Sequence, residues 1–364
     1  MNLREIAWDG FRNLEPACVS LDPRFNVFAG DNGQGKTNLL EAAYWLATLR
    51  PLRAARLQEL VRFGESRCAV EATVLEGGDL VHRLEARVEH GERLCRRERK
   101  TCRPSEYFGA LAVVLFTPDD VGLVRAAPAE RRRYLDRAIF TGRPAHLSEV
   151  LAYRRALEAR NEALRIGEDV ILQESFEEAL AGPAARLVNA RSEFVERLRP
   201  HFVQAFAGIA GEGMEPLLEY RPSLDEGYAE SWAADRERDR QRGFTARGPH
   251  ADDLGLGLLG RSARLYASQG QQRALVLALK IAEIRLLEAL FGLTPVLLLD
   301  DVSSELDAQR NTRLFELLHG FRGQVLITTT DARHVRTPAA ARIFEVRSGR
   351  VVPGSADETS TTEK

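Results

Sequence analysis

The chain opens on short apolar runs separated by turns, and then changes period. Phe25, Val27, Phe28 and Ala29 form a compact apolar run, the pattern of a short buried strand. A glycine-rich turn follows. Residues 37–49 then contain neither Gly nor Pro and place Leu39, Leu40, Ala43 and Leu46 at helical spacing. Residues 68–75 and 80–88 alternate apolar and polar positions around Gly77 and Gly78, which predicts a hairpin with a Gly-Gly turn. Ala112 to Phe116 reads as a further buried strand, stopped by Thr117 and Pro118.

From Glu130 the texture changes. Residues 130–207 are rich in Ala, Leu, Glu and Arg, with breaks at Gly142-Arg143-Pro144, Gly167 and Gly182-Pro183. That predicts an all-helical module of three or four helices. Its longest uninterrupted helix, residues 183–199, would reach only ~26 Å, too short for a coiled-coil arm. Strand texture returns after Gly243, a long helix covers 268–290, and apolar strands lie at 295–299 and 324–328. The polar stretch 354–364 is expected to be a disordered tail. The expected organisation is an α/β unit (1–122 and 243–353) split by a helical insertion (123–242).

Composition narrows the classes. Hydrophobic residues make up 44% and charged residues 29%, ordinary for a globular protein. No run of eighteen apolar residues exists and the first residues lack an apolar signal core, so no membrane partner is expected and the cytoplasm is the expected compartment. Cys18, Cys68, Cys95 and Cys102 show no CxxC spacing and predict neither a disulfide framework nor a zinc site. The net charge of −2 excludes a uniformly basic nucleic-acid binder and leaves local patches. Only Lys36, Lys100, Lys280 and Lys364 are lysines against 47 arginines. A Lys inside a motif therefore marks a place where a compact ammonium is wanted.

Lys36 is in such a motif. Gly30-Asp31-Asn32-Gly33-Gln34-Gly35-Lys36-Thr37 is a full G-x-x-x-x-G-K-T between a strand and a helix. The glycines let backbone amides wrap a polyphosphate, Lys36 reaches the β/γ-phosphates, and Thr37 offers its hydroxyl to Mg²⁺. ATP and Mg²⁺ are the expected cofactors. The second Mg²⁺ carboxylate is expected at Asp300, where the apolar strand 295–299 ends, with Asp301 placed as the catalytic acid that positions water.

Ser268-Gln269-Gly270-Gln271 opens the long helix and resembles the ABC signature S-G-G-Q, with Gln269 in place of the first Gly. Ser304-Glu305-Leu306-Asp307 resembles the D-loop of the same superfamily, centred on Ser304 and Asp307. The resemblance implies that the signature of one copy faces the γ-phosphate held by another, in an ATP-dependent homodimer. Within that superfamily, the Gly10-Phe11-Arg12-Asn13-Leu14 block, the phosphate loop and Phe116-Thr117-Pro118-Asp119-Asp120 are similar to the RecF branch of the SMC-like ATPases. So are Arg131-Arg132-Arg133-Tyr134, Gly248-Pro249-His250 and Asp300-Asp301-Val302-Ser303.

This resemblance implies an α/β, ABC-type P-loop ATPase head with an inserted all-helical domain. It also implies a recombination mediator that binds DNA at single-strand gaps and helps load RecA with RecO and RecR. Slow ATP hydrolysis would reset the clamp. DNA repair, replication restart and SOS induction are the expected settings, and Arg12 is expected to touch phosphate. Two departures stand out: Ala251 where the branch usually carries Arg, and a switch strand that ends Thr328-Thr329-Thr330-Asp331 with no His, with Thr329 and Thr330 as its switch residues.

Arginine clusters supply the expected DNA contacts: Arg53 and Arg56; Arg96, Arg97, Arg99 and Lys100; Arg131 and Arg132. Trp8, Trp45 and His250 read as structural. The competing reading is an SMC-like structural head for chromosome organisation, against which the missing arm counts.

Overall fold

The computed structural model of the chain describes all residues except 54–55, 78–79, 168, 212, 225, 303–307, 336–340 and 355–364. The expected D-loop, Ser304 and Asp307 included, and the expected tail beyond Gly354 lie outside the described residues. Two compact units divide the chain: residues 1–120 with 287–364, and residues 121–286.

In the first unit, β1 (Asn2–Asp9), β2 (Ala17–Ser20), β4 (Arg67–Glu76), β5 (Leu80–Glu89), β6 (Glu92–Arg97) and β7 (Lys100–Thr101) form one antiparallel sheet, ordered β2-β1-β4-β5-β6-β7. The alternation read from the sequence is the burial pattern: Cys68, Val70, Ala72 and Val74 face inward from β4 while their neighbours are more exposed. The second sheet runs β15-β14-β3-β13-β12-β8. Here β3 (Phe25–Ala29), β8 (Val113–Phe116), β12 (Val296–Asp300), β13 (Val325–Thr329) and β14 (Arg342–Arg347) are parallel, and β15 (Arg350–Pro353) is antiparallel at one edge. β8, β12 and β13 are buried along their whole length, as expected for parallel strands covered on both faces.

Helix α1 (Lys36–Thr48) touches strands of both sheets. That position explains its composition: Leu39, Leu40, Ala42, Ala43, Trp45 and Leu46 are all buried, so the helix is apolar nearly all round. Trp45 stacks on Phe11, and Trp8 is buried in the same core, in line with their reading as structural residues.

The second unit departs from the expected all-helical insertion. Helices α3 (Pro128–Gly142), α4 (His146–Ile166), α5 (Val170–Ala210) and α6 (Tyr228–Arg242) dominate it, following the short α2 (Pro104–Tyr107) of the first unit. Yet β9 (Pro216–Arg221) lies inside residues 123–242 and pairs with β10 (Asp253–Leu258), which pairs in turn with β11 (Arg261–Ser262). This sheet ties residues beyond 243 to the helices, which is why the second boundary falls at 286, within a long helix, instead of at 243.

Gly182-Pro183 does not break the chain either. α5 runs 41 residues through Pro183 and Pro200, about 60 Å at 1.5 Å per residue. Pro183 removes one backbone donor. Burial of Leu180, Ala184, Leu187 and Val188 on one face, against Tyr153 and Trp232, carries the helix past it. The helix packs along α4, α6 and β9 instead of standing free as an arm.

The unit also buries charge. Arg160 of α4 pairs with Asp239 at 2.9 Å and Glu177 at 3.1 Å, all three nearly inaccessible. His250 is structural: Nδ1 accepts from Tyr153 at 2.6 Å and Nε2 donates to the Thr245 carbonyl at 2.8 Å. Among the described residues, no helix is long and apolar enough to cross a membrane.

Candidate nucleotide and metal site

The glycine-rich loop leaves the carboxyl end of β3 and enters α1. Gly33 and Gly35 hold φ of 80° and 105°, a region that costs glycine nothing. Gly30 has a different reason: an added Cβ would lie 2.2 Å from the carbonyl oxygen of Val346 on β14. The helix starts with no side-chain cap; the Asn38 N–H already bonds the Gly35 carbonyl at 3.0 Å, and the helix dipole favours an anion at this end. Asp31 and Asn32 are exposed at the loop tip. Lys36 is largely buried, and its Nζ donates to the carbonyls of Gly30 at 2.6 Å and Asp31 at 2.8 Å. Burial pulls its pKa below the ordinary lysine value, opposed by the charges of Asp301, Asp300 and Asp31.

β12 ends beside this loop. Thr37 Oγ1 donates to the Asp300 carboxylate, 2.8 and 2.9 Å from its two oxygens, across 263 residues of sequence. Thr328, at the same level of the parallel ladder as Asp300, donates to Oδ1 at 2.7 Å. Arg53 reaches Oδ2 at 3.3 Å and Asp119 at 3.8 Å. Asp301 sits at φ 47°, its N–H bonded to both the carbonyl and the hydroxyl of Thr328.

A hydroxyl and a carboxylate held together suit Mg²⁺, a hard cation usually bound by one or two protein oxygens plus phosphate. No cluster of three or more His, Cys, Asp or Glu forms an all-protein cage among the described residues.

Arg12, also at positive φ, forks onto Glu41 with both contacts at 2.9 Å and donates to the Glu59 carbonyl. The fork leaves it anchored beside α1. Of the switch residues, Thr329 is buried and its hydroxyl bonds Asp331, while Thr330 is exposed. In the second unit the signature residues open α8 (Gln269–Phe291), which follows the short α7 (Ala263–Tyr266). Ser268 Oγ accepts from the Gln271 N–H at 3.3 Å, and Gln271 Oε1 accepts from the Ser268 N–H at 2.8 Å. This reciprocal cap leaves Ser268 and Gln269 exposed at a helix N-terminus.

Residues 2–350 match the family described as RecF/RecN/SMC N terminal domain. The DNA replication and repair protein RecF of Anaeromyxobacter sp. (strain K) is 49% identical, over 97% of this chain and 99% of its own length. That of Myxococcus xanthus is 45% identical over 93% of each. The chain belongs to the RecF family. Its fold agrees: the solved structure of the recombination mediator protein RecF with ATP in the RecFOR pathway has a TM-score of 0.87 and 29% identity, covering 97% of both chains. An SMC head bound to the C-terminal winged-helix domain of ScpA shares the fold at TM-score 0.61 and 16% identity. The ABC-type, SMC-like ATPase head expected from the sequence is therefore the fold of this RecF-family chain.

Within this RecF-family head the arginine clusters separate. Arg131 is buried, with Nε and Nη2 on Asp253 at 2.7 and 2.8 Å and Nη1 on the Ala126 carbonyl. It is an internal tie, buried and with all three guanidinium nitrogens engaged by protein oxygens, which places it apart from the exposed arginines expected to meet DNA. Arg132 donates to the Asp252 carbonyl. Arg53 stands at Asp300. Arg96 and Arg97 are partly engaged by Glu85 and the Glu106 carbonyl, whereas Arg56, Arg99 and Lys100 are exposed. From sequence, Thr328 reads only as part of the switch-strand end and Glu41 has no role, although both hold residues that are assigned one.

Proposed function

We propose that the chain binds ATP with Mg²⁺ and uses it to switch its hold on DNA during replication and repair. The observation that carries this reading is the Thr37 hydroxyl lying on the Asp300 carboxylate at the loop end of a buried parallel strand. The amides of the loop and Lys36 would receive the β/γ-phosphates, while Thr37 and, through water, Asp300 would hold the metal. Mg²⁺ would supply charge neutralisation between the phosphates. Asp301, turned out of the strand by its left-handed backbone, would position the attacking water for slow hydrolysis.

The exposed signature N-terminus, Ser268 to Gln271, suits an anion cradle for the γ-phosphate of a second copy, and so an ATP-dependent homodimer. The relatives named as replication and repair proteins, and the solved mediator of the RecFOR pathway, support the finer reading. In it, the dimer clamps single- and double-stranded DNA at gaps, works with RecR and RecO in loading RecA, and contributes to SOS induction from the cytoplasm. Arg56, Arg99 and Lys100 are the cations best placed for phosphate.

The test is binding to gapped duplex with ATP, with ADP and without nucleotide, across a salt series. Affinity should require ATP and fall steeply with salt. Lys36→Ala should abolish ATP binding with the fold retained. Tight ATP binding by folded Lys36→Ala, or DNA binding indifferent to nucleotide, would overturn the reading.

A further inference from the structure

The phosphate loop is held from outside by a turn more than three hundred residues away in sequence. β14 pairs with β3, whose end is the root of the loop, and β14 and β15 close through Ser348 and Gly349. Both turn residues have positive φ, 48° and 80°, the geometry of a two-residue hairpin turn.

The turn lands on Gln34. The Gly349 N–H donates to the Gln34 backbone carbonyl at 2.8 Å, and the Ser348 N–H donates to the Gln34 side-chain Oε1. The Gly349 carbonyl in turn accepts from the Glu15 N–H at 2.9 Å. The fit admits no side chain: a Cβ on Gly349 would lie 2.0 Å from the Asn13 carbonyl oxygen.

The consequence lies in the next peptide unit. In a planar trans peptide the C=O of Gln34 and the N–H of Gly35 point in opposite directions. With the carbonyl captured by Gly349, the Gly35 N–H is aimed away from the hairpin. Gly35 immediately precedes Lys36, at the uncapped start of α1. Freed from the hairpin, a glycine-rich loop has several accessible backbone states, and aiming its amides at an anion would cost conformational entropy at binding.

We propose that the Ser348–Gly349 turn is a positioning clasp for the phosphate loop. By holding Gln34 at its backbone and its side chain, it keeps the loop in the conformation that receives the polyphosphate of a nucleoside triphosphate. This rests on the nucleotide reading of the loop, and it adds the C-terminal hairpin to the determinants of that site.

The experiment compares ATP binding by calorimetry in the full chain and three variants. Gly349→Ala introduces the collision with Asn13. Gly91→Ala is the strain-matched control: Gly91 also sits in a hairpin turn of the first unit at φ 80°, but nothing lies within 4 Å of an added Cβ. Gln34→Ala removes only the side-chain half of the clasp. Gly349→Ala should weaken ATP and ADP alike, by roughly tenfold, with Gly91→Ala at the wild-type value and Gln34→Ala between them. Hydrogen exchange of the peptide carrying Gly35 should show less protection by ATP in Gly349→Ala, with Lys36→Ala as the null reference.

Equal ATP affinity in Gly349→Ala and wild type, or equal loss in Gly349→Ala and Gly91→Ala, would overturn the clasp. If Gly349→Ala does not fold, unchanged affinity in Gln34→Ala overturns it instead. Failure of the wild-type chain to bind ATP would overturn the nucleotide reading itself.

Discussion

Thr328→Val isolates one buried hydroxyl without changing side-chain shape. That hydroxyl donates to Asp300 Oδ1 at 2.7 Å and accepts from the Asp301 N–H at 3.0 Å, at a fully buried position. A hydrogen bond to a charged group contributes about 1.5–3 kcal/mol net. Asp300 keeps Thr37 and Arg53, and the Asp301 N–H keeps the Thr328 carbonyl at 3.2 Å, so the lower end applies. The expected loss is about 2 kcal/mol, a drop in Tm of roughly 4–6 °C.

The binding signature is more specific than the melt. Asp300 would pivot without its second hydroxyl donor, so the Mg²⁺ needed for half-maximal ATP binding should rise, while ATP binding in chelator should hold steady. Thr328→Ser returns the hydroxyl and should restore both. Calorimetry with and without Mg²⁺, beside thermal melts, reads the two effects. A Thr328→Val protein that melts within about 1 °C of wild type and binds Mg²⁺-ATP equally well would refute the reasoning.

Arg160→Leu should cost about 3–5 kcal/mol, because it leaves the carboxylates of Asp239 and Glu177 buried without their guanidinium; a denaturation midpoint close to wild type would contradict this. Asp136 gives a pH test. Burial raises its pKa, but hydrogen bonds from His146 and Arg191 outweigh that and hold it below the ordinary value. The stability it adds is therefore fully present above its unfolded pKa of about 3.9 and is lost as pH falls through the lower folded value. The gap in unfolding free energy between wild type and Asp136→Asn should narrow as pH drops below about 4, and a gap constant down to pH 2 would count against it.

The site was legible in the sequence wherever its chemistry needs consecutive residues. A phosphate cradle requires glycines, Lys and Thr at fixed offsets, so residues 30–37 could be proposed as one from the string alone. An acid at the end of a buried strand is likewise a local string, and Asp300 lies on the Thr37 hydroxyl. The arginine runs were legible as composition, but composition carries no partners. Arg131 is taken by Asp253, which no reading of the 131–133 run reveals, and Arg53 stands at Asp300.

What stayed hidden depends on register. The switch was sought at Thr329 and Thr330, just past the apolar run 324–328, yet the parallel ladder sets Thr328 level with Asp300. A shift of one residue turns a side chain to the opposite face of a strand, and nothing in one strand's sequence states its neighbour's register. Pro183 misled for a related reason. It reads as a break, but an apolar face that spans the proline outweighs its local cost, and that face exists only once Tyr153 and Trp232 are packed against it. The Ser348–Gly349 turn combines both difficulties. As a string it is an ordinary hairpin turn, and its meaning arises because β14 lies beside β3 and carries the turn onto Gln34. Local strings can thus specify which groups meet a polyphosphate, while sheet register decides how rigidly those groups are presented.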